Sequence, residues 1–153
     1  MNENLANLHQ RGYYWYGKDI PEKQPFSEQD KVGKFTTFTN QITEDIQKKI
    51  VKAVNEGAAK LVKHSDPAID KSMYQGARDG EAIIWYSNDE KENLTKLGKF
   101  LVDNGLVPKT KAGRLYNLSF KYDSQTRNNE YGDNFKAEIK LADLINLNTG
   151  EVL

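Results

Sequence analysis

The chain has 153 residues, 37% of them hydrophobic, with a mean hydropathy of −0.79, which suits one domain with a modest core and a polar surface. Twenty-two basic residues balance twenty-two acidic ones, so no long-range field draws the molecule to long nucleic acid or an anionic membrane, and any preference for phosphate has to come from a local cluster. The absence of cysteine excludes disulfides, thiolate metal sites and cysteine nucleophiles together.

Residues 1–12, MNENLANLHQRG, are polar and read as a flexible N-terminus ahead of a single α+β domain over 13–153. They contain no apolar core of signal-peptide length, and no stretch reaches the length of a bilayer span. The expected location is the cytoplasm, with signal-less secretion equally compatible.

YYWYG, Tyr13 to Gly17, is too aromatic for a solvated loop and predicts a short strand. Lys18 to Lys31, with Pro21 and Pro25, reads as an irregular loop. GKFTTFTN, Gly33 to Asn40, predicts a second strand on its β-branched and aromatic content. Ile42, Ile46, Ile50, Val51 and Val54 then recur at helical spacing, with Thr43 as N-cap, Glu44 and Asp45 in the first turn and Gly57 at the left-handed C-terminal position.

Ala58 to Asp66 predicts a third strand, Pro67 to Gly80 a loop, and Ala82 to Tyr86 a buried fourth strand. A second helix carries the stripe Leu94, Leu97, Phe100 and Leu101, capped by Ser87 or Asn88 and ended by Gly105. Tyr116, Leu118, Phe120 and Tyr122 alternate as the buried face of a fifth strand, with Asn117, Ser119 and Lys121 on its other face. NFKAEIKLADLI is a last strand or mixed segment. This order predicts an α+β fold: a mainly antiparallel sheet with two helices on one face and a polar face left open, where a site would lie.

Four polar spots bear on function. Lys60, Val62 and His64 sit two residues apart in the predicted third strand, about 7 Å per step, so a lysine and a histidine share a face as base and acid or as two anion ligands. The plainer reading makes both solvated strand residues. Lys34 shares a strand face with Thr36 and Phe38, and a lone strand-end lysine usually protects an edge. Arg78, between glycines in QGARDGE, either reaches a ligand from a tight turn or decorates a hairpin. Lys121, Asp123 and Arg127 form either a surface network or a cation pair that Asp123 orients toward an anion. Trp15, Tyr16 and Trp85 would serve as a base-stacking platform or as core. There is no glycine-rich phosphate loop and no HExxH, and with His9 and His64 as the only histidines no metal site or other cofactor is expected.

Taken in order, GKFTTF, GAAKLVKH, QGARDGEAIIWYS and LSFKYDSQTRNNEYG resemble the blocks of the secreted bacterial phosphothreonine lyases and, more closely, a phosphothreonine lyase-like domain family. That wider family includes eukaryotic members with a fold similar to the cap-binding translation initiation factor, a curved antiparallel sheet backed by helices. The resemblance runs from about Trp15 to Tyr131. It implies a site for a phosphorylated peptide or small phosphorylated ligand, with Lys60 as the base of a β-elimination and Lys34, Arg78, Lys121 and Arg127 around the phosphate. Thr36 stands where the lyases have their general-acid histidine, and His64 is the residue available to replace it. The alternative function is a non-enzymatic module that binds a nucleotide or a partner on the same sheet face.

Overall fold

A computed structural model of the chain describes residues 8–10, 13–17, 32–39, 41–65, 81–122 and 139–153. In chain order the strands are β1 (Leu8–Gln10), β2 (Tyr13–Tyr16) and β3 (Val32–Thr39), followed by helix α1 (Glu44–Asn55). Then come β4 (Leu61–Ser65), β5 (Glu81–Asn88), helix α2 (Lys91–Asp103), β6 (Ser119–Tyr122) and β7 (Ile139–Lys140). The strands form one open, curved sheet in the order β1-β2-β4-β5-β3-β6-β7, antiparallel at every pairing. The α+β architecture expected from the sequence is the one observed.

Helix α1 starts where a hydroxyl replaces the missing intrahelical acceptor. Thr43 Oγ1 accepts from Ile46 N at 3.2 Å, and Glu44 and Asp45 lie at the positive end of the helix dipole. It stops at Gly57, whose φ of 75° is cheap for glycine alone. Helix α2 starts differently from expectation. Its N-cap is Glu90, which makes no side-chain cap bond, because Ser87 and Asn88 still belong to β5. Asn88 nevertheless holds that end, its Oδ1 accepting from Glu90 N at 3.2 Å and from Asn93 Nδ2 at 2.9 Å.

Both helices pack on the same side of the sheet. Ile50 and Ala53 of α1 and Leu94, Leu97, Phe100 and Leu101 of α2 share one core with Tyr16, Phe35, Val62, Ile83, Trp85 and Phe120. Trp85 anchors it: the ring is fully buried, lies 6.3 Å from Phe100, and donates its indole hydrogen to Thr37 Oγ1 at 3.0 Å, so its one polar atom is satisfied inside the core. Gly98 lets α2 approach the end of the chain, since a β-carbon there would meet Leu141 at 3.1 Å. Leu141 belongs to a single 3-10 turn after β7.

Three expectations need correction. The sheet face opposite the helices is not simply polar: Trp15, Leu61 and Tyr86 form a second buried cluster there, with Tyr13 and Ile84 packed against it. The unbroken apolar run AIIWY in β5 puts apolar side chains on both faces, as doubly covered strands do. The strand after α1 begins at Leu61 rather than Ala58, because Ala58 and Ala59 bond back to Ala53 O at 2.9 and 3.3 Å and are still leaving the helix. The fifth predicted strand begins at Ser119. Tyr116, expected inside, is 55% exposed, because Leu115 N and Tyr116 N donate to Leu147 O and Pro108 O, outside the sheet. Strand β1, paired with β2 through Leu8↔Trp15 and Gln10↔Tyr13, had no signal in its polar sequence.

Candidate functional site

Strand register decides which candidates meet. Lys34 on β3 lies directly opposite Tyr86 on β5 and directly opposite Lys121 on β6. Tyr86 in turn opposes Leu61 on β4. Leu61, Tyr86, Lys34 and Lys121 therefore run abreast across four strands on the face away from the helices. In the next row Trp15, Lys63, Ile84 and Thr36 lie abreast on β2, β4, β5 and β3.

The lysines on this face sit among aromatic rings. Lys34 Nζ is 5.8 Å from the Tyr86 ring centre. Lys63 Nζ is 5.8 Å from the same ring, 4.2 Å from Tyr13 and 4.7 Å from Trp15, distances at which the negative ring face attracts an ammonium. Tyr13 and Trp15 meet edge to face at 6.4 Å. The rings thus hold two ammonium groups against the sheet, and Lys121, opposite Lys34 in the register, brings a third lysine to this face. Two lysines directly opposed on paired strands can meet one anion together through charge-assisted hydrogen bonds.

Lys60 stands just outside β4 and is exposed, with its backbone N–H donating to Tyr86 O at 3.1 Å. Because the strand starts one residue later, alternation within β4 covers Val62 and His64 but does not extend to Lys60. His64 goes to the other side of the sheet from Lys34 and Lys121. It opposes Tyr14 and Ile83, is 2% exposed, and lies in ring contact with Tyr14 and Tyr16 at 5.3 and 5.4 Å. Its two nitrogens meet the Tyr16 hydroxyl at 2.7 Å and Ser65 O at 3.0 Å. Arg78 and Arg127, with Asp123, lie outside the described residues.

The stacking candidates are core residues. Tyr16 and Trp85 are 1% and 0% exposed on the helix side, and Trp15 is 6% exposed on the far side. Burial drives the Tyr16 phenol well above its ordinary value of 10.0, against a smaller opposing effect of the Gln47 amide and a further upward push from Tyr14. Two features were missed from the sequence. Lys63 had a signal, since in LVKHS it alternates out of the helix-side pair Val62 and His64. The Tyr16–His64 contact had none, because 48 residues separate the partners.

Among the described residues there is no group of three or more histidine, aspartate and glutamate side chains that would hold a metal ion, and no helix long and apolar enough to cross a membrane. No protein-family model, no curated protein and no solved structure matches the chain.

Proposed function

We propose that the chain binds a phosphorylated ligand, a peptide or a small molecule, on the sheet face away from the helices, with Lys34 and Lys121 meeting the phosphate. The observation that carries this reading is the β3–β6 register, which sets those two lysines directly opposite each other. The aromatic backing supports it, because Tyr86 flanks Lys34 at 5.8 Å and gives the ammonium a preferred place on the sheet. Two amines held on paired strands are better organised for one anion than two on separate loops, since less rotamer entropy is lost on binding.

Binding is the part of this reading that the geometry favours. Elimination is the step added by the resemblance to phosphothreonine lyases, with Lys60 as the base that takes the α-proton as phosphate leaves. His64 does not serve as the acid in this proposal, being buried on the opposite side of the sheet. A cytoplasmic location belongs to the same proposal.

Calorimetric titration with a phosphothreonine peptide and its unphosphorylated twin tests the reading. The phosphopeptide binds and the twin does not. Lys34→Ala and Lys121→Ala each weaken binding about tenfold or more, the worth of one charge-assisted hydrogen bond. Equal binding of both peptides, or indifference to both substitutions, refutes it.

A further inference from the structure

Under α1 a chain of buried polar atoms ends on one with no partner. Gln47 Oε1 is buried and makes no hydrogen bond, and in a native structure such an atom calls for a reason. The Gln47 amide lies close enough to the Tyr16 phenol to oppose part of the rise that burial causes. The Tyr16 hydroxyl lies 2.7 Å from His64 Nε2, and His64 Nδ1 lies 3.0 Å from Ser65 O. A carbonyl can only accept, so Nδ1 carries the ring hydrogen. Nε2 is then bare, and the Tyr16 hydroxyl donates to it. Both hydrogens point one way, from Tyr16 to His64 and from His64 on to Ser65.

We propose that His64, Tyr16 and Gln47 form a proton-responsive joint between α1 and the sheet. When a proton from solvent adds to His64 Nε2, that nitrogen becomes a donor to Tyr16, the Tyr16 hydrogen turns away toward α1, and the Gln47 amide rotates half a turn to receive it on Oε1. One proton enters and none leaves: Nε2 gains an N–H that donates to the Tyr16 oxygen, and the Tyr16 O–H that had donated to Nε2 donates to Gln47 Oε1. The orphan oxygen is the acceptor held in reserve for the charged state.

The surroundings determine how that charge is met. On β2, Tyr14 and Tyr16 are the titratable groups facing the ring. On β4, Lys63 points to the opposite face, and its ammonium is held by Tyr13 and Trp15. Strand β5 contributes apolar Ile83 opposite His64 and the buried acidic side chain of Glu81, whose Oε2 accepts from Ser65 Oγ at 3.2 Å. Helix α1 contributes Gln47, while its charged Glu44, Asp45, Lys48 and Lys52 are exposed and its half-buried Lys49 pairs with Asp45 at 3.2 Å. Glu81 is thus the buried acidic side chain among the described residues, hydrogen-bonded to the serine that follows His64.

The test is a pH titration of the whole chain labelled with nitrogen-15, followed by NMR, with a short histidine peptide as the reference. Near neutrality His64 should show a protonated Nδ1 and a bare Nε2. On acidification it should take up one proton while the amide spectrum stays folded, and the Gln47 side-chain amide should shift with the same midpoint. Tyr16→Phe should leave the Gln47 signal still while His64 titrates. Gln47→Leu, which removes the reserve acceptor at a half-buried helix position, should lower the His64 midpoint by about one pH unit, a tenfold loss of proton affinity. A neutral ring protonated on Nε2, a Gln47 signal that stays fixed in the wild type, or a His64 that stays uncharged until the chain unfolds would each overturn the proposal.

Discussion

Replacing Gly33 by alanine tests how β3 and β6 are held together, and so how Lys34 and Lys121 come to face each other. A β-carbon at Gly33 would lie 2.5 Å from Lys121 O and 2.7 and 2.8 Å from two ring carbons of Phe120, about 1 Å inside ordinary contact on three atoms. None of them yields easily. Lys121 O is backbone within the β3–β6 pairing. Phe120 is fully buried, wedged edge to face against Phe35 at 5.4 Å and Tyr122 at 5.3 Å. Overpacking of this kind costs about 1–3 kcal/mol, which for a chain of this length lowers the melting temperature by roughly 2–4 °C per kcal/mol. Urea unfolding followed by tryptophan fluorescence measures it. Gly105→Ala separates the steric effect from a backbone one: its φ of 69° makes alanine strained, by about 1–2 kcal/mol, with no atom within 4 Å to clash. Gly33→Ala should also weaken phosphate binding without touching either lysine, whereas Gly105→Ala should leave it unchanged. A Gly33→Ala protein within about 0.5 kcal/mol of wild type, with ligand affinity intact, would refute this account of the strand pair.

Thr37→Val keeps the shape of the side chain but leaves the Trp85 indole hydrogen buried without an acceptor. It should cost about 1–3 kcal/mol in equilibrium unfolding. Thr43→Ala removes the α1 cap bond to Ile46 N and should cost about 1 kcal/mol, read by the same denaturation. Tyr16 makes stability depend on alkaline pH. Its folded value is raised above 10.0, so its contribution is fully present below about pH 10 and is lost as pH rises toward the folded value. Over that window the unfolded chain has released a proton that the folded chain still holds, and stability falls by about 1.4 kcal/mol per pH unit from this group. Tyr16→Phe should flatten that part of the profile, measured by urea unfolding at a series of pH values.

Much of the fold was legible because the signals were local. Thr43 with its acidic first turn, the Ile46–Ile50 stripe and Gly57 define α1 within fifteen residues, and the α2 stripe from Leu94 to Leu101 is equally self-contained. What failed was non-local. Alternation through Tyr116 looked like the start of a strand, but Leu147 and Pro108, far apart in sequence, hold that backbone outside the sheet. The apolar run in β5 was visible as buried, yet its burial on both faces depends on Trp15 and Leu61 arriving from β2 and β4. The same contrast runs through the site. Lys34 and Lys121 were each visible as strand lysines, but only the β3–β6 register makes them neighbours. For His64, residue type was readable and environment was not, because the ring takes its character from Tyr16 and from a helix above it. A two-residue step placed Val62 on its face correctly but counted in Lys60, which stands outside β4, and nothing local told which face that was.

The most direct test of the phosphate-binding proposal is a titration of the labelled chain with phosphothreonine peptide, following phosphorus and amide NMR signals together. Amide shifts centred on Lys34 and Lys121 that vanish in Lys34→Ala are the predicted result. Release of free phosphate, with a peptide product lighter by the elements of phosphoric acid and lost in Lys60→Ala, would add elimination to binding. An unchanged spectrum at saturating peptide, or shifts confined to the helix side of the sheet, would contradict the central claim.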